Sequence, residues 1–305
     1  MLDVDNKIIN KDLFGNDIVP DVLLRDKFQE PPFSVLDAKS GSWQKRKNHW
    51  KNIGIKSEIG RTAKGGNTFN SLSINPRKIE YANKFSNVGD TASIFDPVLT
   101  ELMYKWFCPV GGKILDPFAG GSVRGIVAHY LGYKYIGIEL RKEQVESNRE
   151  QALDILPAGN QPKWYIGDSD KILDINNEQN FKFDFIFSCP PYVDLEVYSE
   201  MPEDLSNMCY NDFYTKYYSI IGKSLKLLDN GGYAVFVVGE VRDKDGYYYN
   251  FVGDTKSAFI QQGAKLYNDA ILTNAIGTAS MRTKFFKDNK KLVKIHQNVL
   301  CFKKI

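Results

Sequence analysis

Lys113-Ile-Leu-Asp-Pro-Phe-Ala-Gly-Gly-Ser122 is the stretch that decides the fold. Its apolar pair Ile114-Leu115 predicts a short buried strand, which runs into Asp116 and then into two glycines. The helix predicted after them carries its apolar residues at the i, i+3, i+4, i+7, i+8 spacing of one buried face. A strand, a glycine turn and a helix open a doubly wound α/β fold, in which ligands bind beyond the carboxyl ends of the strands.

A second decisive stretch, Phe185-Ile-Phe-Ser-Cys-Pro-Pro-Tyr192, lies about seventy residues later. Its apolar start predicts another buried strand. Two consecutive prolines cannot continue a central strand, because they cannot donate to its hydrogen-bond ladder. The sequence therefore predicts a strand that ends abruptly in a Cys-Pro-Pro-Tyr loop (residues 189–192).

Together, in this order and at this spacing, the two stretches resemble the amino-group (N6-adenine or N4-cytosine) DNA methyltransferases. In that family the cofactor loop reads Asp-Pro-Phe-x-Gly-x-Gly, and the catalytic loop reads Asp/Asn/Ser-Pro-Pro followed by an aromatic residue. The third glycine of the family's loop is Ser122 here. The resemblance implies a mostly parallel, doubly wound, seven-stranded Rossmann-like methyltransferase fold that uses S-adenosylmethionine.

The remaining sequence fits that fold, because strand and helix patterns alternate to the end of the chain. They predict seven strands, of which the last two are joined by a loop instead of a helix. Without a crossover helix, the last strand is expected to run antiparallel to its neighbours. We divide the chain into an N-terminal extension, residues 1–90, and a catalytic domain, residues 91–305.

Composition narrows the class of protein further. The 305 residues are 43% hydrophobic and 25% charged, which is ordinary for a soluble globular protein. The N-terminus has no apolar signal-peptide region, and no apolar run reaches membrane-spanning length. The four cysteines and three histidines lack metal-ligand spacing. We expect a reduced, cytoplasmic protein that binds no metal and no membrane.

Charge is distributed unevenly, although the net charge is only +3. Residues 39–64 hold eight Lys/Arg against the single Glu58, with Trp43 and Trp50 between them. This basic segment predicts either a surface that contacts phosphates or a solvated helix whose tryptophans pack on the main domain. Both interpretations stay open. The residues predicted to contact nucleic acid are Lys45, Arg46, Lys47, Arg282 and Lys284.

Acidic residues come directly after the predicted strands next to the glycine loop (residues 116–122). Glu139 lies 23 residues after Asp116, where a carboxylate can accept ribose hydroxyls as in dinucleotide folds. The P-loop pattern and Gly-x-Gly-x-x-Gly are both absent, and a structural turn alone would not explain acids at the ends of three strands. These patterns favour S-adenosylmethionine. The resemblance adds a closing helix at Phe95 and an adenine contact at Asp168. The predicted cofactor residues are Phe95, Asp116, Pro117, Phe118, Ala119, Gly120, Gly121, Ser122, Glu139, Asp168 and Ser169.

For the Cys-Pro-Pro-Tyr loop, the resemblance implies methylation of an exocyclic amine on a base rotated out of the helix. Tyr192 stacks on the base, the Pro190 carbonyl accepts an amine hydrogen, and Pro191 stiffens the loop. Cys189 departs from the family pattern, because it occupies the Asp/Asn/Ser position and sulfur is a weak acceptor.

Several alternatives remain open. Cys189 could act as a nucleophile toward cytosine C5, the substrate could be RNA or a small molecule, or the chain could bind nucleic acid without turnover. The acidic stretch 194–204 beside the loop repels phosphates. No separate target-recognition domain is evident, so DNA recognition would rest on the N-terminal segment, on inserted loops, or on a homodimer or recognition partner.

The whole chain also resembles methylases carried by phages and prophages. This second resemblance rests on residues 32–37, 42–47, 188–192, 194–198 and 296–300.

Overall fold

The computed structural model describes residues 28–55, 95–159, 161–177, 182–193, 195, 197–274 and 279–305. The chain divides into two compact units, Met1–Ser34 and Val35–Ile305, and all the described strands belong to the second unit. The part of the basic segment from residue 56 onward lies outside the described residues.

An eight-stranded sheet forms the centre of the second unit, in the order β1-β7-β8-β6-β5-β2-β3-β4. Seven strands run parallel to at least one neighbour, and β8 runs antiparallel to both β6 and β7. This topology confirms the predicted doubly wound, mostly parallel sheet with an antiparallel last strand. The strands are β1 (Val35–Asp37), β2 (Lys113–Asp116), β3 (Lys134–Glu139), β4 (Lys163–Ile166), β5 (Phe183–Ser188), β6 (Leu228–Val238), β7 (Ala264–Thr273) and β8 (His296–Lys304).

The sheet has one strand more than the sequence predicts, because the N-terminal extension contributes β1. This strand pairs in parallel with β7, and Leu36 lies opposite Leu272. Both side chains are buried, so β1 extends the core at the edge of the sheet. Three residues make too short a strand to show an alternating pattern in the sequence. We keep residues 91–305 as the proposed catalytic domain, to which β1 and the helix after it are joined.

Helices cover the sheet: α1 (Gly41–Asn52), α2 (Pro97–Phe107), α3 (Val123–Tyr130), α4 (Lys142–Ile155), α5 (Ile172–Asn177), α6 (Tyr210–Leu227), α7 (Phe251–Gln261), and the short α8 (Ala279–Arg282) and α9 (Phe286–Asn289). As the sequence predicts, α2 begins directly after Asp96, whose carboxylate accepts from the amides of Val98 and Leu99. None of the helices in the described part of the chain is long and apolar enough to cross a membrane.

One local prediction is wrong in detail. The sequence predicts that Asn230-Gly231-Gly232 ends the long helix, but α6 ends at Leu227 and the three residues belong to β6. Gly231 there has φ +80°, a conformation that glycine adopts readily, and the pairing register with β5 shifts at this point. The glycines therefore form an irregularity in a strand.

Candidate active site

A cavity of about 670 Å³ opens at the carboxyl ends of the parallel strands, within the size range of small-molecule sites. It brings together most of the residues singled out in the sequence. Among them are Phe95, Pro117, Phe118, Gly120, Glu139, Asp168, Ser169 and the whole Cys-Pro-Pro-Tyr loop, Cys189, Pro190, Pro191 and Tyr192.

Asp116 is a correction to the predicted cofactor residues, because its side chain is fully buried and does not line the cavity. Its carboxylate accepts from Arg124 Nε at 2.5 Å, from the Tyr135 hydroxyl at 2.8 Å and from Ser188 Oγ at 2.6 Å. Arg124 also donates to the carbonyls of Phe118 and of the next residue. Asp116 therefore holds the glycine loop in place through Arg124, and it joins the loop to the end of β5 through Ser188.

Three other residues of the glycine loop also stay out of the cavity wall: Ala119, Gly121 and Ser122. Ala119 is fully buried, and Ser122 donates from its hydroxyl to Gln151 at 2.7 Å. Gly120 has φ +50°, which turns the chain so that its amide points toward β3. The loop thus presents only part of its length to a ligand, and the rest packs inward.

Glu139 ends β3 and lines the cavity. Its carboxylate accepts from the Gly120 amide at 3.0 Å and from the Arg141 amide at 2.9 Å. Two backbone donors hold the side chain in one orientation, and a carboxylate has lone pairs left for further donors. Glu139 can therefore accept from hydroxyl groups of a bound ribose, as the sequence predicts.

Asp168 and Ser169 come directly after β4 on the same wall of the cavity. The Asp168 carboxylate accepts from the amide of Asp170 and forms an ion pair of 2.8 Å with Lys216 of α6. Lys216 also donates to the Glu203 carbonyl, so it ties the acidic stretch to this wall. Asp204 accepts from hydroxyls of its own segment. In its described part, the acidic stretch therefore forms part of the cavity wall.

Helix α1 meets the closing helix α2 through two similar polar contacts. Trp43 Nε1 and Lys47 both donate to Asp96, and Lys47 and Asp96 line the cavity. One turn further on, Trp50 Nε1 and Arg46 donate to Glu101, whose side chain is fully buried. Both tryptophans are buried.

These contacts bear on some of the residues predicted to contact nucleic acid. Arg46 and Lys47 are engaged in ion pairs within the protein, and their contact with phosphates stays a prediction. Lys45 is exposed on the same helix. Arg282 and Lys284 lie on the segment between β7 and β8, and Lys284 does not line the cavity.

The Cys-Pro-Pro-Tyr loop lies beside the end of β6. The Tyr192 hydroxyl accepts from Gln297 Nε2 of β8 at 2.7 Å, and Cys189 Sγ lies 3.8 Å from the same hydroxyl. Burial raises the pKa of Tyr192 well above its usual value, with a further contribution from Cys189, so the phenol stays neutral. Val193 comes next with φ +54°, an uncommon conformation for a β-branched residue, and such strain clusters at functional sites.

Sequence reasoning missed several residues of this site. Arg124 and Lys216 carry no motif signal: Arg124 is a single basic residue within a helix pattern, and the ion-pair partner of Lys216, Asp168, is distant in sequence. The cavity wall also includes Glu240, Lys294 and Gln297. They come from the loop after β6, the segment before β8 and the start of β8, all on the other side of β5 from β3 and β4. Glu240 comes after a buried strand, which is the same signal that identified Glu139 and Asp168, and it could have been found in that way.

One protein family matches the part of the chain that contains the glycine loop. The N6/N4 methyltransferase family model, described as DNA methylase, matches residues 36–150. The match includes Glu139, and it ends before the Cys-Pro-Pro-Tyr loop. No curated protein matches the sequence.

Among solved structures, TrmN from Thermus thermophilus is 14% identical with a TM-score of 0.46, over 69% of this chain and 49% of TrmN. The chain thus spans about half the length of that protein. Magnesium protoporphyrin IX methyltransferase from Synechocystis PCC 6803, solved with bound S-adenosylmethionine, is 13% identical with a TM-score of 0.44, over 95% of this chain and 100% of that one. A TehB-like methyltransferase from Corynebacterium glutamicum is 16% identical with a TM-score of 0.42, over 76% and 100%. Similarities this distant say nothing about the substrate.

The matched region contributes Gly120 of the glycine loop and the Glu139 carboxylate at the end of β3 to the cavity wall, and the Gly120 amide donates to that carboxylate. Residues 36–150 are thus similar to the N6/N4 DNA methylase family, whose members use S-adenosylmethionine, and this match supports S-adenosylmethionine-dependent methyltransferase activity.

Proposed function

We propose that the protein methylates the exocyclic amine of an adenine or a cytosine in DNA, after that base is rotated out of the helix. The observation that carries the proposal is that the Cys-Pro-Pro-Tyr loop and Glu139 line one cavity. One side of this cavity suits a nucleoside cofactor, and the loop offers an aromatic ring and a backbone carbonyl to a second ligand. DNA as the substrate is supported by the family match alone.

On the cofactor side, Glu139 would accept from the ribose hydroxyls, and Asp168 would contact the adenine of the cofactor. Phe95 lines the cavity two residues before α2, with its ring centroid 4.5 Å from the guanidinium carbon of Arg124 and its ring edge-on to Phe187. When bound, S-adenosylmethionine supplies a methyl group on a positively charged sulfur. The protein's contribution is to hold that methyl group in front of residues 189–192.

On the target side, Tyr192 would stack on the base, and the Pro190 carbonyl would accept one amine hydrogen. An exocyclic amine is a poor nucleophile while its lone pair is delocalised into the ring. Accepting its hydrogens out of the ring plane favours a pyramidal nitrogen with an available lone pair. The nitrogen–carbon bond forms as the carbon–sulfur bond breaks with its electron pair on sulfur, and the amine then loses one proton to solvent.

Cys189 is the weak point of this assignment, since a thiol is a poor acceptor. Its Sγ lies 3.8 Å from the Tyr192 hydroxyl. As a nucleophile toward cytosine C5, it would need an activating base. In the proposed reaction Cys189 shapes the pocket, and other groups accept the amine hydrogens.

The direct test is to incubate the protein with DNA and labelled S-adenosylmethionine, digest the DNA, and identify the modified nucleoside. We expect N6-methyladenine or N4-methylcytosine, and we expect Cys189→Ser to retain activity. If 5-methylcytosine forms and Cys189→Ser is inactive, Cys189 is a C5 nucleophile. If methyl groups are transferred to RNA and not to DNA, the substrate is RNA. Cofactor binding without any transfer identifies a binding protein.

A further inference from the structure

The Cys-Pro-Pro-Tyr loop divides the cavity wall into two parts. Glu139 and Asp168 lie at the ends of β3 and β4 on one side of β5, whereas Glu240 lies after β6 on the other side. Lys294 joins Glu240 there, from the segment that leads into β8. Both residues line the cavity, and the function proposed above gives neither a role.

Lys294 brings its ammonium group close to Tyr192. The position that a Cβ on Gly239 would occupy lies 2.5 Å from Lys294 Nζ and 3.6 Å from the Tyr192 ring atom Cε2. A side chain at position 239 would therefore displace the ammonium, and glycine leaves the space that it uses. The ammonium donates to the Glu240 carbonyl at 3.2 Å, and the described residues offer it no second acceptor. A lysine has three N–H donors, so this half-buried group keeps donors for a ligand.

Glu240 presents the complementary group. Its Oε1 accepts from the Val252 amide in the first turn of α7, at 3.2 Å. Its Oε2 is buried, and no donor to it is found in the part of the chain that the structure describes. A buried acceptor without a partner is unfavourable because it has lost its hydrogen bonds to water, and a donor supplied by a ligand would remove that penalty.

We propose that Glu240 and Lys294 bind the Watson–Crick edge of the target base, with Glu240 accepting from the exocyclic amine and Lys294 donating to the neighbouring ring nitrogen. That nitrogen is N1 in adenine and N3 in cytosine. The inference rests on the proposed methylation of an amine. Glu240 Oε2 becomes the acceptor that Cys189 cannot provide.

The pair would also favour adenine and cytosine over guanine and thymine. Adenine and cytosine both present a donor beside a ring acceptor at this edge. Guanine and thymine present a carbonyl oxygen beside a ring N–H, which is the reverse pattern. Either base would place its oxygen against the Glu240 carboxylate and its N–H against the Lys294 ammonium. Buried polar groups left unpaired in this way reject a ligand strongly.

The test begins with the methylated nucleoside and sequence found for the parent protein. Oligonucleotides of that sequence are made with the natural target base, or with 1-deazaadenine or 3-deazacytosine, which keep the amine and lack the ring nitrogen. We expect the replacement to lower kcat/KM of the parent at least tenfold. In Lys294→Met it should change kcat/KM less than twofold, because the contact is already absent. Comparing ratios cancels the intrinsic reactivity of the analogue.

Glu240→Gln should lower kcat at least tenfold while the Kd for S-adenosylmethionine changes less than twofold, which also shows that the variant is folded. Matched controls come from the same loops outside the cavity wall: Lys287→Met for Lys294, and Asp245→Asn for Glu240. Both controls should respond to the deaza replacement as the parent does.

Equal deaza effects in the parent and in Lys294→Met would overturn the Lys294 contact. Unchanged kcat in Glu240→Gln would overturn the Glu240 contact. If the parent methylates no amine, the proposed function fails first and this inference fails with it, so the two failures are told apart before any variant is made.

Discussion

The two sides of the cavity differ in how far their polar groups are satisfied within the protein. On the side of β3 and β4, the carboxylates of Glu139 and Asp168 each have a backbone donor and a nearby cation. On the side of β6 and β8, Glu240 Oε2 has no donor and Lys294 has one acceptor within the described residues. The difference indicates that the cofactor side is organised before a ligand arrives, whereas the target side is completed by its ligand.

The largest effect is expected from replacing Asp116, the buried residue that holds the glycine loop on the cofactor side. Asp116→Ala leaves the buried Arg124 guanidinium without its ion-pair partner, and we expect a loss of about 3–5 kcal/mol in the free energy of unfolding. Urea denaturation measures it. The double variant Asp116→Ala/Arg124→Met should recover part of the loss, since no charge is left unpaired. A loss of less than about 1 kcal/mol, typical of an exposed pair, would mean that Asp116 is not the support.

A smaller effect is expected within the cofactor side itself. Glu139→Ala should weaken S-adenosylmethionine binding by about 1.5–3 kcal/mol, the range for hydrogen bonds to a charged group. Isothermal calorimetry measures this, and Glu146→Ala on the exposed face of α4 is the control. Unchanged affinity in a folded Glu139→Ala protein would remove Glu139 from the cofactor site.

The target side should respond in the opposite manner, with loss of turnover and intact cofactor binding. Tyr192→Ala removes the stacking ring, and we expect activity to fall by about 1–3 kcal/mol in activation free energy, the range for base stacking. Tyr192→Phe keeps the ring and loses only the hydroxyl contacts to Gln297, Cys189 and the Val237 carbonyl, so its loss should be smaller. If both variants weaken cofactor binding as much as they reduce activity, the two sides are not separate.

The pH dependence of kcat/KM tests the same difference between the two sides of the cavity. Burial lowers the pKa of Lys294 from 10.5 to about 8, and the nearby Glu240 partly opposes this shift. The ammonium is therefore present below pH 8 and lost above it, so kcat/KM should fall above that pH. The other titratable groups on this part of the wall are Glu240, Tyr192, Cys189 and His296. Cys189→Ser should keep the decline, and Lys294→Met should lack it. A parent profile that is flat up to pH 9.5, about 1.5 units above that pKa, would contradict the role of Lys294.

The smallest effect concerns the basic helix. If exposed Lys45 contacts a phosphate, Lys45→Met should flatten the salt dependence of DNA binding by about one unit of slope. Arg46→Met should instead lower stability by about 1–3 kcal/mol, because it removes a donor to buried Glu101. Binding titrations at several salt concentrations and urea denaturation separate the two. An unchanged slope for Lys45→Met would mean that Lys45 is an ordinary solvated surface residue.

Short-range patterns made the fold and the cofactor side predictable from the sequence. The glycine loop, the apolar strands and the acid Glu139 lie within one βαβ unit, where spacing along the chain translates directly into position. The role of Asp116 was not predictable, because its partners Tyr135 and Ser188 come from other strands. Lys294 and Glu240 meet only because β8 inserts beside β6, and 54 residues separate them along the chain.

The edge strand β1 has a consequence for the order in which the protein becomes functional during synthesis. Leu36 pairs with Leu272, so this edge of the sheet cannot form until the ribosome has released β7, and closing so long a loop is slow. Ala38, Gln44 and Lys47, which come after β1, form part of the cavity wall. This part of the cavity wall is therefore translated before the rest of the wall and is among the last parts to assemble, and a nascent chain without β7 has an incomplete cavity.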